Sequence, residues 1–171
     1  MQSHVVVLRL VHILGGVYWA GTIFFFSTFL QPSIQELGPD GGKVMIKFFE
    51  RGFLNTLPAV ALVTLASGLW LLWISSNGFD PAYMGSGTGI AISTGGVFAT
   101  AAFLVGLFVV RPTALRVWSV SKELPNAADE GKRAALMAEM GVLRARMGAA
   151  ARVVFMMLVV AVSLMAVGRY V

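Results

Sequence analysis

Residues 5–30 read VVVLRLVHILGGVYWAGTIFFFSTFL, an apolar run that contains one cation, Arg9, and one imidazole, His12. The run is longer than the roughly 20 residues that an α-helix needs to cross a bilayer. Because backbone in lipid must satisfy its own hydrogen bonds, the run predicts a membrane-spanning helix. An imidazole that far inside a span either faces lipid at a cost or faces a protein interior and has a role there.

The whole chain has the composition of a membrane protein. It is 57% hydrophobic and 12% charged, whereas a soluble domain carries about 25% charged residues. The charge is missing from four stretches, near residues 5–30, 53–74, 87–110 and 152–170. We therefore predict an all-α fold, an integral membrane bundle of four antiparallel helices that forms one domain over residues 1–171.

The basic residues predict how the bundle is oriented. Of the 13 Lys and Arg residues, all but Arg9 and Arg169 lie in the connections 31–52 and 111–152. Connections rich in Lys and Arg stay in the cytoplasm, so both termini are expected on the outer side of a plasma membrane, in bacteria the inner membrane. The net charge of +5 then reflects contact with lipid headgroups, and no nucleic-acid partner is expected.

Local signals predict the ends of the helices. Pro32 and Pro112 are expected to end the first and third helices. Residues 42–52 indicate an amphipathic segment whose one face is basic, through Lys43, Lys47 and Arg51. Asn126 resembles an N-cap, and the fourth helix is expected to begin in the cytoplasm and to enter the membrane as one long rod.

Several classes of chemistry are excluded by missing residue types. The chain has no cysteine and two histidines, which excludes disulfides, iron–sulfur clusters, thiolate zinc sites, c-type haem and a zinc site made of several histidines. No Asp or Glu lies inside any of the four apolar stretches, which argues against a proton-relaying pump. No nucleophile–base pair of the Ser–His–Asp or Cys–His type is present, which argues against hydrolytic chemistry.

His12 is predicted to lie in a polar layer of the bundle. Counting inward from the helix ends places Ser67, Ser93, Thr94 and Met165 near its level. Five glycines lie close to that layer and would leave room there: Gly15, Gly16, Gly68, Gly95 and Gly96. The layer could therefore hold a cofactor.

A redox cofactor would suit these residue types. A neutral imidazole ligates haem iron or copper, and the thioether of Met165 can supply a second ligand to either metal. Arg9 and Arg169, both at the outer mouth, could pair with haem propionates, while Trp19 shares a helix face with His12. We expect b-type haem, with copper as the alternative, held by His12 and Met165.

A purely structural interpretation is also open. His12 can hydrogen-bond Ser67 or Thr94 and hold the helices together, while Arg9 and Arg169 anchor the interface and Met165 fills space. Because only one histidine is buried, a haem with two imidazole ligands would require a symmetric dimer or a further subunit.

Residues 12–21, HILGGVYWAG, match the pattern H-x-x-G-x-x-x-W-x-G. This stretch resembles the first-helix signature of the copper resistance protein D (CopD) family, and its His-to-Trp spacing is similar to that of HemJ-type protoporphyrinogen oxidases. Residues 165–170, MAVGRY, look like the closing helix of small relatives of these families. The resemblance implies that His12 binds haem or copper and that Trp19 packs beside it.

Three functions follow, in descending order. The first is a membrane protein that holds b-type haem or copper through His12, for electron transfer or for metal or haem handling. The second is a non-catalytic subunit of a larger membrane complex, which the small residues of the third helix would suit. The third is HemJ-like oxidation of protoporphyrinogen. Whether the protein is an enzyme stays open at this stage.

Overall fold

The computed structural model describes residues 2–37 and 39–171, and over these residues it contains helices and no strand. Four long helices in it are apolar enough to cross a membrane: Ser3–Glu36, Phe53–Ser75, Gly87–Asn126 and Glu130–Tyr170. The all-α fold and its four candidate membrane spans are therefore confirmed.

The first and third long helices are each built from two α-helices joined by a π turn. The first comprises α1 (Gln2–Phe25), a π turn at Phe26–Leu30 and α2 (Gln31–Glu36). The next three helices along the chain are α3 (Pro39–Glu50), α4 (Phe53–Ser75), which is the second long helix, and the short α5 (Pro81–Met84). Then follow α6 (Gly87–Val105), a π turn at Gly106–Val110 and α7 (Arg111–Glu123), and finally α8 (Glu130–Val167).

The prediction that helices end at Pro32 and Pro112 is wrong. Both prolines lie in the first turn of the following α-helix, where a missing N–H is tolerated. Directly before each proline the backbone N–H bonds five residues back, Gln31 to Phe26 and Arg111 to Gly106. This wider turn leaves room for the pyrrolidine ring, so the helix continues past it.

The expected amphipathic segment is α3. Met45 and Phe49 are buried on one face, whereas the side chain of Lys47 is 75% exposed. Lys47 donates to Glu50 at 2.8 Å, and this hydrogen bond holds the pKa of Glu50 below its usual value. Gly52, whose φ of +83° suits glycine, then turns the chain into α4.

The fourth long helix confirms the predicted rod but not its predicted cap. α8 contains 38 residues, roughly 57 Å at 1.5 Å per residue, and so exceeds a hydrocarbon core of about 30 Å. Asp129 is the N-cap, because its Oδ1 accepts from the Lys132 N–H at 2.7 Å. Asn126 instead donates its side-chain amide to the Lys122 carbonyl at 3.3 Å.

The long helices pack in the order α1, α4, α6, α8. α1 packs mainly on α4, and α6 packs mainly on α8. The central core is a cluster of Trp19 with small and aliphatic residues: Ala61, Ala99, Ala102, Val154, Leu158 and Ala161. Large apolar side chains face outward, including Leu14 and Phe108, at 65% and 68% exposed. An outer surface of this kind fits lipid contact better than water.

The two ends of the bundle differ in charge. At the terminal end, the Thr88 hydroxyl donates to the carbonyl of Val171 at 3.1 Å. We call the opposite end the basic end, because the connections 31–52 and 111–152 that meet there hold 11 of the 13 Lys and Arg residues. At this end α7 packs against the first half of α8. A second cluster holds this hairpin together: Val117, Val120, Leu136 and Met140. Arg116 joins the two helices through both oxygens of Glu139, at 2.6 and 3.0 Å.

Candidate functional site

His12 makes a defined contact with the neighbouring helix. Its half-buried ring lies on α1, and Nδ1 is 2.9 Å from the backbone carbonyl oxygen of Thr64 on α4. A carbonyl oxygen can only accept, so Nδ1 carries the proton in the neutral ring. Nε2 therefore keeps its lone pair and can bind a metal or accept a further hydrogen bond.

Glycines allow this close approach between α1 and α4. A Cβ on Gly68 would lie 2.6 Å from Cε1 and 2.9 Å from Nδ1 of His12, so the ring occupies the space above that glycine. A Cβ on Gly15 would collide with the Thr64 hydroxyl. These two glycines therefore serve close helix packing, whereas the sequence indicated that they would leave room for a guest.

The predicted polar layer is assembled differently from the expectation. The partner of His12 is the Thr64 backbone, one turn from Ser67, while the Ser67 hydroxyl donates to the Val63 carbonyl at 2.8 Å. The Ser93 hydroxyl is buried and has no hydrogen-bond partner among the residues that the structure describes. A backbone carbonyl as the partner of His12 carries no side-chain signal in a sequence.

Met165 lies against a different helix from the one that His12 contacts. Its Cγ is 3.1 Å from the position of a Cβ on Gly95 of α6. His12 faces α4, and α1 packs mainly on α4. The packing thus directs the two predicted ligands toward different helix pairs.

The predicted anion partners lie at the surface. Arg9 is exposed, and so is Arg169, whose guanidinium carbon is 5.2 Å from the centre of the Tyr170 ring. An exposed cation at a bilayer interface fits headgroup contact as well as it fits a propionate.

Trp19 is 5% exposed and belongs to the central core. It also lines a cavity at the basic end, whereas His12 lies two turns nearer the terminal end. His12 and Trp19 therefore lie in different surroundings although they share a face of α1: His12 contacts Thr64 of α4, and Trp19 lies in the central core.

Two cavities adjoin at the basic end, and no pattern in the sequence predicted them. The first, of about 90 Å³, is the apolar chamber, which all four long helices and α3 surround. Its wall includes Trp19, Ile23, Ser27, Phe53, Ala102 and Val154. The second, of about 170 Å³, is the polar vestibule, whose wall includes Gln31, Gln35, Trp118, Ser121 and Arg144. Neither cavity is lined by His12.

The donor set around His12 offers one clear metal ligand. Among residues 2–37 and 39–171 there is no group of three or more His, Cys, Asp or Glu side chains that could hold a metal ion. One imidazole with a free Nε2 can supply a single axial ligand to haem or one ligand to copper, and a complete copper site needs more.

The comparisons with known proteins give no further guide to this site. No protein-family model matches the sequence, no curated protein does, and no solved structure matches the fold.

Proposed function

We propose that the protein holds a metal-centred redox cofactor, b-type haem or copper, on Nε2 of His12. The observation that supports this is the hydrogen bond from Nδ1 to the Thr64 carbonyl. A metal-ligating histidine usually donates its other ring N–H to a carbonyl or carboxylate, which fixes the ring and the tautomer. The bundle thus holds one imidazole in the form that a metal requires.

The remaining ligand is proposed to come from outside the chain. Met165 packs on Gly95, so the completing ligand would be the same imidazole of a second copy or a residue of a larger membrane complex. The lipid-facing side of α1 is apolar enough for such contact, with Leu10, Ile13 and Val17 exposed. When bound, the metal would supply one-electron chemistry, for electron transfer or for metal or haem handling.

The protein's own residues have a narrower role. The Thr64 carbonyl orients the ring, and Gly68 gives the ring its place between α1 and α4. With the predicted topology, this site lies in the outer half of a plasma membrane and both termini lie outside.

A spectrum of the detergent-purified protein tests the proposal. Expression with added haem precursor should give a Soret band, or expression with added copper should give stoichiometric copper by elemental analysis. His12→Ala should abolish that signal. His4→Ala is the matched control, because His4 is the other histidine and is exposed near the start of α1. Loss of signal in both variants, or in neither, would contradict the assignment.

The geometry also favours a second candidate, a non-catalytic subunit of a larger membrane complex. His12 already has a partner and a packed ring, so it can act as a link between two helices without any guest. The small residues of α6 do not mark the partner surface, because Gly89, Ala91, Gly95, Ala99 and Ala102 are buried within the bundle. Neither haem nor copper in the purified protein, together with a co-purifying subunit in fixed ratio, would favour this candidate.

A further inference from the structure

The two cavities at the basic end lie next to each other between the centre of the bundle and its basic surface. They share four wall residues: Phe26, Met45, Phe49 and Met147. Two of these are methionines, whose unbranched side chains change shape at low cost. Side chains that can move thus separate the chamber from the vestibule.

The wall of the vestibule has an excess of donors. The Trp118 indole N–H is buried without a hydrogen-bond partner among the described residues, and an indole can only donate. Arg144 also lines the vestibule, and there is no Asp or Glu among the lining residues whose side chains the structure describes. The Arg144 guanidinium therefore favours a ligand that carries acceptor oxygens and negative charge.

The wall of the apolar chamber has the opposite character. Its lining is aliphatic and aromatic apart from Ser27 and Arg111, and the Ser27 hydroxyl is buried without a described partner. Arg111 is held elsewhere, since its Nε donates to the Leu54 carbonyl at 3.2 Å and an Nη to the Asn55 side chain at 3.0 Å. The chamber therefore suits hydrocarbon.

We propose that the chamber and the vestibule together bind a single-chain anionic amphiphile of the fatty-acid type. Its carboxylate would lie in the vestibule against Arg144, and its chain would pass between Met45 and Met147 into the chamber. The site is independent of His12 and of any metal.

The volumes restrict the occupant. A cavity of about 150 Å³ accommodates the six carbons of benzene, so cavities of about 90 and 170 Å³ together hold roughly ten heavy atoms. They are far too small for a haem or for a lipid with two chains, and they fit an acid of roughly eight carbons. One narrow chain with a compact head is the shape that fits both spaces.

Tryptophan fluorescence gives a direct test, because Trp19 and Trp118 line the two cavities. Trp70 and Trp73, which are exposed near the terminal end, are first changed to Phe. The purified protein in detergent is then titrated with 8-bromooctanoate, whose bromine atom quenches nearby indoles. Saturable quenching that unbrominated octanoate reverses is expected.

Variants locate the head and the chain. Arg144→Gln should weaken the apparent affinity about tenfold or more, because a charge-assisted contact is lost. Arg146→Gln is the matched control: Arg146 is exposed on the same helix and lines neither cavity, so the affinity should not change. Ser27→Leu should fill the chamber, remove an unpaired hydroxyl and abolish the quenching while the protein stays folded.

Other results would overturn the proposal. Quenching that rises without saturation, or that is equal in the Arg144 and Arg146 variants, would show partition into the micelle only. Equal affinity for the methyl ester of the probe would show that no anionic head is recognised. Because none of these readouts involves a metal, they are independent of the cofactor proposed at His12.

Discussion

Replacing Gly68 with Ala should destabilise the protein through His12. The added methyl would begin 2.6 Å from Cε1 of the ring, and ordinary contact begins near 3.4 Å, so the ring must move about 0.8 Å. A shift of that size weakens or breaks the 2.9 Å hydrogen bond to Thr64.

The expected magnitude follows from three effects. Overpacking costs about 1–3 kcal/mol. A weakened hydrogen bond adds about 0.5–1.5 kcal/mol. Replacing a helical glycine with alanine returns about 0.5–1 kcal/mol. The three ranges combine to a net loss of about 0.5–4 kcal/mol, in which overpacking is the largest contribution.

Thermal unfolding in detergent, followed by near-ultraviolet circular dichroism, measures the effect. Gly96→Ala is the matched control, because a Cβ there meets nothing within 4 Å and the change should be neutral or stabilising. In a His12→Ala background the penalty of Gly68→Ala should disappear. If the penalty persists there, or if Gly68→Ala stabilises the protein as Gly96→Ala does, the placement of His12 is refuted.

Three further predictions concern other parts of the molecule. Gly15→Ala should be destabilising, because a Cβ on Gly15 meets the Thr64 hydroxyl, whereas Gly21→Ala should not, because a Cβ on Gly21 meets nothing within 4 Å. Equal melting temperatures of the two variants would contradict the packing of α1 on α4. Arg116→Ala should lower the melting temperature slightly, and by less at high salt, because its ion pair with Glu139 is partly exposed. A double-mutant cycle with Glu139→Ala should recover this coupling, and a coupling of zero would show that the pair contributes nothing. The chain lacks cysteine, so single cysteines can be introduced to test the topology. The exposed Asn77→Cys should react with a membrane-impermeant maleimide on intact cells, whereas Lys47→Cys should react only after lysis. The reverse pattern would show that the predicted orientation is inverted.

Much of the fold could be predicted because membrane spans depend on length and composition. The four apolar stretches, the amphipathic α3 and the long α8 all follow from properties that adjacent residues carry themselves. The helix ends at Pro32 and Pro112 could not be predicted in the same way, because a π turn one residue earlier removes the clash that normally ends a helix. The cap of α8 was misplaced because Asn126 and Asp129 are both good capping residues, and only the backbone geometry selects between them.

The candidate site shows the same division more sharply. The sequence by itself determined that an imidazole lies within one of the four helices that are long and apolar enough to span a membrane, since this follows from counting along one helix. Only the tertiary structure decided that this imidazole meets the Thr64 carbonyl, that Met165 packs on α6, and that the cavities lie at the basic end. The physical reason is that these facts depend on how each helix is rotated about its own axis. That rotation is fixed by the fit of glycines and side chains from neighbouring helices, which are distant in the sequence.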